Sequence, residues 1–470
     1  MEKKKLSLPK MTLFGLQHMF AMFGATILVP LLTGLSVQVT LLGAGVGTLI
    51  FHFFAKGKVP AFLGSSFAFM VGIRLITDPA AGIFNVSVME EGIYLMQALG
   101  GFSANTLIST TQFRDITLAY ATGGILVSGL LYVLFAGIVK LVGVKKFMKW
   151  VPPIVTAPTV ILIGIMLAPH AINQSSQNIL LAAATLIIVI IASSWGKGMI
   201  KIIPILLGIG GAYLLALVLH NFTGLTNADD SVIINFAAAQ ENVGTGIVGL
   251  PPFMLPRFGI VPILIMIPFA LATIAEHIGD MVALSSITGK DFIKEPGLSR
   301  TLIGDGVASC FSGLIGAPAS TTYGENVGVV ALTRIFNPRV VQIGAIFAVV
   351  LAFSPIFAAI IYSIPNAIIG GASFMLYGMI AAVGIRNLVE AKVDMTKTKN
   401  LTVIAVMMVT GLGLRFGPAI TFSIGSTNVP IDRLGIAIAV ILGVVLNAIL
   451  PDKAPTEGVP ADIPTTEDVK

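Results

Sequence analysis

Long apolar blocks recur along the whole 470-residue chain, separated by short charged segments or by turns that contain Pro and Gly. A helix needs about 20 mostly apolar residues to cross the ~30 Å hydrocarbon core of a bilayer. Twelve blocks of suitable length predict continuous membrane-spanning helices: 12–33, 38–55, 116–141, 151–169, 178–196, 199–220, 260–284, 298–316, 340–362, 366–385, 400–418 and 433–450.

Two further apolar blocks, 61–77 and 318–335, are interrupted by small and hydroxyl residues, as in AFLGSSFAFMVGI and GAPASTTYGENVGVVALT. Because Gly and Ser weaken helix interiors, we predict that both blocks are broken spans with short extended segments. The total is then fourteen crossings in an all-α polytopic membrane protein. Two interrupted segments in corresponding places of two seven-span halves indicate a 7+7 inverted repeat with a binding site near the bilayer midplane.

The composition supports a membrane protein and excludes other classes. The chain is 56% hydrophobic and only 11% charged, whereas soluble domains carry about 25% charged residues. The net charge of +6 is not concentrated on one segment, so nucleic acid is not an expected partner. A single cysteine, Cys310, excludes an internal disulfide framework and a Cys-based zinc site.

The loop charges predict the orientation. With the N-terminus inside, 23 of the 28 Lys and Arg residues fall in inner loops, as expected for the cytoplasmic side. The outer set is Arg74, Arg114, Arg257, Arg415 and Arg433. Both termini are therefore predicted to be cytoplasmic in a multi-pass protein of the cell inner (plasma) membrane.

The Lys-rich start resembles a signal peptide, but its apolar run is long and further spans follow, so we interpret it as the first anchor. The polar, Pro-containing segment 453–470 predicts a disordered tail. The long outer segment 78–115 contains no recognisable site.

Four acids remain at membrane depth: Glu276, Asp280, Asp305 and Glu325. Intramembrane acids are costly and usually face a cavity or a transport pathway. Glu276 and Asp280 stand four residues apart and share one helical face, whereas His277 points elsewhere. Two carboxyl groups one turn apart in a low-dielectric site should not both ionise readily, so the pair could hold and release a proton. The alternative is a bond between helices, although no Lys or Arg lies at comparable depth.

Glu325 lies inside the second broken span. An interrupted membrane helix frees backbone N–H groups that need partners, and freed amides beside a carboxylate suit a small, polar, planar solute. Alternatively, Gly324 only allows close helix packing, which explains the glycine but not the glutamate. In the first broken span, Phe67 or Phe69 could stack on a flat solute, or could simply pack against the protein or face lipid.

The remaining polar positions carry weaker signals. Asp305 could bond a neighbouring helix rather than a substrate. Gln17 and His18 are as compatible with bonds between helices as with ligand binding. The small-residue run GAGVG at 43–47 lies within a span and has no strand before it, so it predicts close helix packing rather than a phosphate-binding loop.

The segments GLQHMFAMFGATILVP, KVPAFLGSSFAF, IAEHIGDM and TTYGENVGVVALTR resemble the nucleobase–ascorbate transporter family, and specifically its bacterial uracil permease branch. The resemblance extends from about Leu16 to Lys399. The family element of Gln or Glu, Asn, any residue, Gly, four further residues and Thr is matched by Glu325, Asn326, Gly328 and Thr333. Glu in its first position is similar to the uracil branch, and Gln to the xanthine, urate and ascorbate branches.

The resemblance implies fourteen spans divided into a core domain and a gate domain, a homodimer, and transport by an elevator-like movement of the core. The implied boundaries are core 1–145, gate 146–258, core 259–363, gate 364–452 and tail 453–470.

The resemblance also implies site residues. The base would be bound by the side chains of Glu276 and Glu325 and by the backbone N–H groups of Phe67 and Gly324. Tyr377, from the gate domain, would help to close the pocket. Supporting positions are Gln17, His18 and Asn326.

Proton coupling is predicted at Glu276 and Asp280, although the best-known uracil permease pattern has His where this chain has Asp280. The pH dependence of coupling is therefore open.

The sequence thus predicts a proton-coupled uracil importer without cofactor or metal, embedded in membrane lipid and not an enzyme. The open alternatives are a transporter of xanthine, urate or another pyrimidine, a facilitator without proton coupling or with sodium, and a channel or membrane-embedded enzyme. A channel would not saturate with substrate, and an enzyme would alter it chemically.

Overall fold

A computed structural model of the chain describes residues 7–79, 86–90, 93–96, 106–144, 146, 152–223, 226–227, 233–234, 236–243, 246–418, 420–424 and 427–452. The predicted disordered tail and much of the outer segment 78–115 lie outside the described residues. The chain is mostly helical.

The helices are α1 Leu8–Thr33, α2 Val37–Phe54, α3 Phe67–Thr77, α4 Thr110–Val142, α5 Pro153–Ser175, α6 Ile179–Trp195, α7 Met199–Ile202, α8 Pro204–Thr223, α9 Phe236–Val243, α10 Ile260–Thr288, α11 Leu298–Ile315, α12 Gly324–Thr333, α13 Pro338–Ala352, α14 Pro355–Tyr362, α15 Asn366–Glu390, α16 Thr398–Phe416 and α17 Gly435–Ile449. The strands are β1 Leu63–Ser65, β2 Val86–Glu90, β3 Ile93–Met96, β4 Thr106–Ser109, β5 Ser320–Thr322, β6 Thr421–Ile424 and β7 Thr427–Pro430.

Seven helices of the described residues are long and apolar enough to cross a membrane: α1, α2, α4, α5, α10, α15 and α16. The count rises to eight if the bent pair α13 and α14 is one span. Helices α3, α6, α8 and α17 contain shorter apolar stretches. The protein is therefore a multi-pass membrane protein, and the count of fourteen crossings stays a prediction.

The segment 340–362, predicted as one straight span, differs from that expectation. Helices α13 and α14 meet at 85°. Pro355 is the first residue of α14, where it needs no intrahelical N–H partner, and the Ser354 side chain accepts a hydrogen bond from the Phe357 amide at 3.3 Å. A proline inside a continuous helix would remove a hydrogen bond and clash with the preceding turn, so the chain bends here.

Both segments that the sequence predicts as interrupted contain a three-residue strand followed by a helix. The first is β1 followed by α3, and the second is β5 followed by α12. Strands β1 and β5 form an antiparallel pair within the helical protein. Strands β2, β3 and β4 form a second sheet, and β6 pairs with β7.

The helices pack in two groups. In the first, α2 packs on α11 and α13, α4 packs on α10 and α11, and α1 packs on α13. In the second, α5 packs on α15, α16 and α17, and α6 packs on α8 and α15. Contacts between the groups include those of α5 with α3 and α10.

The small-residue run at 43–47 allows α2 to lie close to its neighbours. A Cβ atom on Gly45 would stand 2.7 Å from the Ala345 carbonyl oxygen of α13, and one on Gly43 would stand 2.9 Å from the Ala317 Cβ. These distances leave no room for a side chain, in agreement with the packing role predicted from the sequence.

Candidate substrate-binding site

The β1–β5 pair brings the amino ends of α3 and α12 together. Ser65 and Ser320 face each other across the pair, and the Ser66 amide donates to the Ala319 carbonyl at 2.8 Å. The two helices begin directly after these strands, at Phe67 and Gly324. Two chain segments more than two hundred residues apart therefore present their helix starts at one place.

Hydroxyl side chains from neighbouring helices stabilise this strand pair. The Thr48 hydroxyl of α2 accepts a hydrogen bond from the Leu63 amide at 2.9 Å. The Ser309 hydroxyl of α11 donates to the Ser320 carbonyl at 2.7 Å, and the hydroxyls of Ser312 and Ser320 lie 2.8 Å apart. These bonds satisfy backbone groups that a broken membrane helix leaves exposed.

The two helix starts lack side-chain caps. Neither Ser66, the N-cap of α3, nor Tyr323, the N-cap of α12, uses its side chain to accept a hydrogen bond from the following turn. The first N–H groups of a helix have no partner within the helix. The two starts are therefore a source of backbone donors for the carbonyl groups of a ligand.

A cavity of about 250 Å³ opens beside these helix starts. Its wall includes Phe67, Glu276, Asp280, Gly324 and Glu325. We call it the acidic cavity, because it gathers three of the four acids that the sequence places at membrane depth. It brings together every predicted binding and coupling residue except Tyr377.

The three carboxyl groups of the acidic cavity lie within electrostatic reach of one another. Glu276 and Asp280 lie on one face of α10, as their spacing predicts. Asp280 Oδ1 is 3.8 Å from the position that a Cβ atom on Gly324 would occupy, so the glycine leaves space between the α12 start and α10. Asp280 Oδ2 is buried and has no hydrogen-bond partner among the described residues.

Two aromatic rings give the cavity a flat wall. The rings of Phe67 and Tyr323 are nearly parallel, with an interplanar angle of 7° and centroids 6.4 Å apart. The Tyr323 hydroxyl donates to the Ser65 carbonyl at 2.5 Å, which holds this ring against β1. A planar solute would find both ring faces and acidic acceptors in the wall of this cavity.

Asn326, next to Glu325 in the first turn of α12, bonds the start of this helix to other segments of the fold. His18 Nδ1 of α1 lies 2.6 Å from the Asn326 side-chain oxygen, and Asn326 Nδ2 donates to the Pro60 carbonyl at 3.2 Å. The side chains of His18 and Asn326 are both buried. Gln17 is also buried but does not line the cavity.

His277 and Asp305 lie behind the cavity rather than in its wall. His277 Nδ1 is 3.0 Å from Asp305 Oδ2, and both side chains are fully buried. His277 Nε2 lies 2.9 Å from the Thr301 hydroxyl, and its Nδ1 lies 3.2 Å from the Thr322 hydroxyl of β5. Asp305 therefore lies beside a histidine that touches the strand pair, and it does not line the cavity.

Tyr377 is buried on α15 but does not line the acidic cavity, whose α15 wall includes Leu376, Met379 and Ile380. Tyr323 also lines the cavity, as do Arg386, Asn387 and Glu390 at its open end, and the sequence does not predict these four as site residues. The only signal for Tyr323 is its place directly before Gly324 in the broken span. The α15 residues were missed because the predicted span ends at 385, whereas α15 continues to Glu390.

No group of three or more His, Cys, Asp or Glu residues within the described part of the chain has an arrangement that could hold a metal ion. The arrangement is suited instead to a small neutral solute. Carboxyl groups can accept hydrogen bonds from ring N–H groups, and the two helix starts can donate to ring carbonyl groups.

Solved structures of membrane transporters share this fold. The transmembrane domain of the cyanobacterial bicarbonate transporter BicA has a TM-score of 0.59 at 17% sequence identity, covering 95% of this chain and 98% of that chain. The murine anion transporter Slc26a9 in its inward-facing state has a TM-score of 0.62 at 10% identity, covering 95% of this chain and 69% of that chain. At these identities the likeness shows the fold alone.

The model of the permease family Xan_ur_permease matches residues 9–420, and the chain belongs to this family. A probable uracil permease of Haemophilus influenzae is 36% identical over 451 residues, which cover 94% of each chain. The uracil permease of Bacillus subtilis is 37% identical over 457 residues, covering 93% of this chain and 92% of its own.

A putative pyrimidine permease of Escherichia coli, RutG, is 34% identical and covers 96% of this chain and 91% of its own. These relatives are named permeases, which are transporters rather than enzymes. The resemblance to the bacterial uracil permease branch, predicted from the motifs, is confirmed.

Proposed function

We propose that the protein imports uracil and that uracil binds in the acidic cavity. The observation that carries this proposal is that Glu276 and Glu325 face one cavity together with the uncapped starts of α3 and α12. Uracil has two ring N–H donors and two carbonyl acceptors in one plane. The carboxyl groups accept from the donors, and the amides of Phe67 and Gly324 donate to the carbonyls.

Selectivity follows from this complementarity. A buried donor or acceptor that loses its partner costs about 1–3 kcal/mol. A base that lacks one of the four groups therefore binds roughly 5- to 150-fold more weakly. The ring faces of Phe67 and Tyr323 favour a flat solute over a bulky one. Tyr377 is buried on α15, outside the cavity wall, so its part in closing the pocket would require α15 to move.

Uptake of radiolabelled uracil into cells tests the proposal. Cells that express the protein should accumulate uracil, and Glu325→Gln and Glu276→Ala should each abolish accumulation at unchanged membrane expression. Gly137→Ala, on the part of α4 where a Cβ atom meets nothing within 4 Å, is the matched control. Uptake at the wild-type rate in both acid variants would refute the proposal.

Another pyrimidine is a second candidate substrate, since one of the relatives is named a pyrimidine permease rather than a uracil permease. Competition of uracil uptake by unlabelled thymine, cytosine, xanthine and urate separates these cargoes. We expect competition from uracil-like pyrimidines that keep both ring N–H groups, and none from urate. Stronger competition by xanthine or urate than by uracil would assign a purine cargo.

We propose that uptake is coupled to protons through Glu276 and Asp280. The position of the two acids supports this proposal. Both line the cavity, and Asp280 Oδ2 has no hydrogen-bond partner among the described residues. Accumulation should stop when an uncoupler collapses the proton gradient. Accumulation that depends on sodium, or simple equilibration indifferent to the gradient, would make the protein a sodium symporter or a facilitator.

We propose an elevator-type cycle in which the first helix group is the mobile core and the second is the gate, with the boundaries stated in the sequence analysis. The acidic cavity lies where the groups meet, with α10, α12 and α3 on one side and α5 and α15 on the other. Movement of one group along the other would carry the site across the membrane. We further propose a homodimer, embedded in the inner membrane with both termini cytoplasmic.

A further inference from the structure

A second cavity of about 410 Å³ lies on the predicted outer side of the protein. Its wall includes the ends of α1, α3 and α16, the start of α4, and the carboxyl half of α5. Three arginines line it, Arg74, Arg114 and Arg415, and we call it the basic cavity. Asp78 is the one acidic side chain among its described lining residues.

The two cavities lie along one seam between α3 and α5. On α3, Phe67 lines the acidic cavity, and Val71 and Arg74 line the basic cavity. Positions spaced by four and then three residues share one helix face. On α5, Ile163 lines the acidic cavity and His170, seven residues further on, lines the basic cavity. One surface of each helix therefore continues from one cavity into the other.

The charge reverses along this seam. The acidic cavity presents the carboxyl groups of Glu276, Asp280 and Glu325 near the helix starts, with Arg386 and Glu390 paired at its open end. The basic cavity is lined by three guanidinium groups, of which that of Arg114 lies 3.9 Å from Asp115. Clefts lined by one sign of charge between low-dielectric walls concentrate ions of the opposite sign. This electric field exerts little net force on a neutral ring. A ring that carries a carboxylate is attracted to the basic cavity at the outer end and repelled by the acidic cavity at the inner end.

Arg74 is held in place for such a ligand. Its Nη1 donates to the Leu32 carbonyl at the end of α1, at 2.5 Å, and its side chain is half-buried. A guanidinium has five N–H donors, so this bond leaves others for a carboxylate, which it can bind through two parallel hydrogen bonds.

The rest of the wall suits a ring rather than a small inorganic anion. It contains Val71, Leu75, Phe113, Met166 and Leu167, which offer apolar surface to a flat hydrophobic body. A ligand with a planar ring and one carboxylate matches both the apolar wall and the arginines.

We propose that the basic cavity binds flat aromatic carboxylates and retains them there, so that they inhibit uptake without being transported. The inhibition rests on the proposed function, but the binding does not. The expected ligand class is a pyrimidine or benzene ring with one carboxylate, and the arginines Arg74 and Arg114 bind that carboxylate.

Thermal unfolding of the purified full-length protein at constant ionic strength tests the binding, with uracil-6-carboxylate and benzoate as probes. A ligand that binds only the folded state raises the unfolding midpoint. Uracil-6-carboxylate should raise it in the wild type. Arg74→Gln and Arg114→Gln should each weaken binding about tenfold or more, because each removes a charge-assisted hydrogen bond.

The controls separate this inference from the proposed function. Arg339→Gln removes an exposed arginine that lines neither cavity and should keep the full response to the carboxylate. Arg114→Gln keeps the test valid if Arg74→Gln fails to fold, because Arg114 is half-exposed. Each variant's response to uracil reports whether the acidic cavity is intact.

The outcomes are distinct. No response to either carboxylate, or an undiminished response in both arginine variants, would overturn the inference. A missing response to uracil with a retained carboxylate response would overturn the proposed function instead. In proteoliposomes, radiolabelled uracil-6-carboxylate should inhibit uracil uptake while staying outside, and Arg74→Gln should relieve that inhibition. Accumulation of the carboxylate inside would also overturn the inference.

Discussion

At the residue scale, the acidic cavity depends on side chains that never touch its contents. Asn326 follows Glu325 directly and ties the start of α12 to His18 on α1 and to the Pro60 carbonyl. Because the Asn326 side chain bonds two other segments, it fixes the first turn of α12 and thereby the direction in which the Glu325 side chain points. The orientation of Glu325 toward the cavity therefore depends on a residue that faces away from it.

Asn326→Ala tests this dependence. The change leaves the His18 ring and the Pro60 carbonyl without their buried partner, which should lower the free energy of unfolding by about 1–3 kcal/mol. Uracil affinity should fall as well, because Glu325 is no longer held in position. Denaturant unfolding and uracil binding by the purified protein measure the two effects.

The control is Thr402→Ala, which removes an exposed hydroxyl that donates to the Thr398 carbonyl. It should change neither quantity measurably. Wild-type affinity in Asn326→Ala, with stability equally unchanged, would contradict the positioning role.

The sequence predicts the site residues unevenly, for physical reasons. Glu276 and Asp280 are recognisable because a spacing of four fixes a shared helix face. Glu325 is recognisable because an acid at membrane depth is energetically costly and therefore indicates a functional site. The side chain of Tyr377 depends instead on how α15 packs on α5, which no local pattern encodes. Arg386 falls just beyond the predicted span 366–385, because helix ends are set by contacts that the sequence does not display.

At the element scale, the two broken helices are positioned by the crossing of β1 and β5. Gly64, in the middle of β1, lies against the Tyr323 ring, and a Cβ atom there would stand 2.4 Å from Tyr323 Cε2 and 2.9 Å from the Thr26 hydroxyl. The neighbouring ring also forms the flat wall of the cavity. The missing side chain at Gly64 therefore sets the distance between the two helix starts.

Gly64→Ala should push the Tyr323 ring and β1 apart. Overpacking of a buried site typically costs about 1–3 kcal/mol, and here it also displaces the donors of both helix starts. We expect a lower unfolding midpoint and a large loss of uracil affinity. Both are measured on purified protein.

Gly137→Ala is the matched change, since a Cβ atom at Gly137 on α4 meets nothing within 4 Å. It should leave binding unchanged and should not lower stability, because Ala favours a helix interior over Gly. Equal effects of the two substitutions would show that Gly64 has no special spatial role.

Local composition predicts the breaks in these helices but not every bend. Gly and Ser before Phe67, and the run of small and hydroxyl residues before Gly324, mark the interruptions. The bend between α13 and α14 also has a proline, Pro355, but lies in a uniformly apolar segment that fits a single span by length. Whether such a segment crosses straight or turns depends on the helices around it.

At the scale of the whole molecule, the wall of the acidic cavity reaches the carboxyl end of α15. The open end of the cavity is lined by Arg386, Asn387 and Glu390 at the carboxyl end of α15. The predicted orientation puts that end on the cytoplasmic side and puts the basic cavity outside. We propose that, in this orientation, the structure represents a state open to the cytoplasm.

Cysteine labelling tests this arrangement. In a Cys310→Ser background, which removes the single native cysteine, Asn387→Cys should react with a membrane-impermeant thiol reagent only from the cytoplasmic side. Uracil should slow that reaction, because it either fills the cavity or shifts the protein between states. Thr77→Cys, in the wall of the basic cavity, should react only from outside.

The reagent reaches the outer face of the protein in whole cells and the cytoplasmic face in inside-out vesicles. Reaction of Asn387→Cys from the outside alone would reverse the topology. Reaction from both sides without uracil protection would indicate an open pore rather than a transporter.

The whole-molecule features were predictable to different degrees. Apolar block lengths and loop charges indicate a multi-pass protein and an orientation, since both follow from the bilayer as a solvent. The division into helix groups and the seam with its charge reversal depend on contacts between segments far apart in the chain. They become visible only once α3 and α5 lie side by side.

The most direct test of the central claim is equilibrium binding of uracil, 1-methyluracil and 3-methyluracil to the purified protein. Each methyl group removes one ring N–H donor, so each analogue leaves a carboxyl group of the pair Glu276 and Glu325 without its partner. We predict that both analogues bind at least tenfold more weakly than uracil, and that Glu325→Gln reduces this discrimination for one of them. Equal affinity for all three ligands would contradict recognition of the base by paired acids in the acidic cavity.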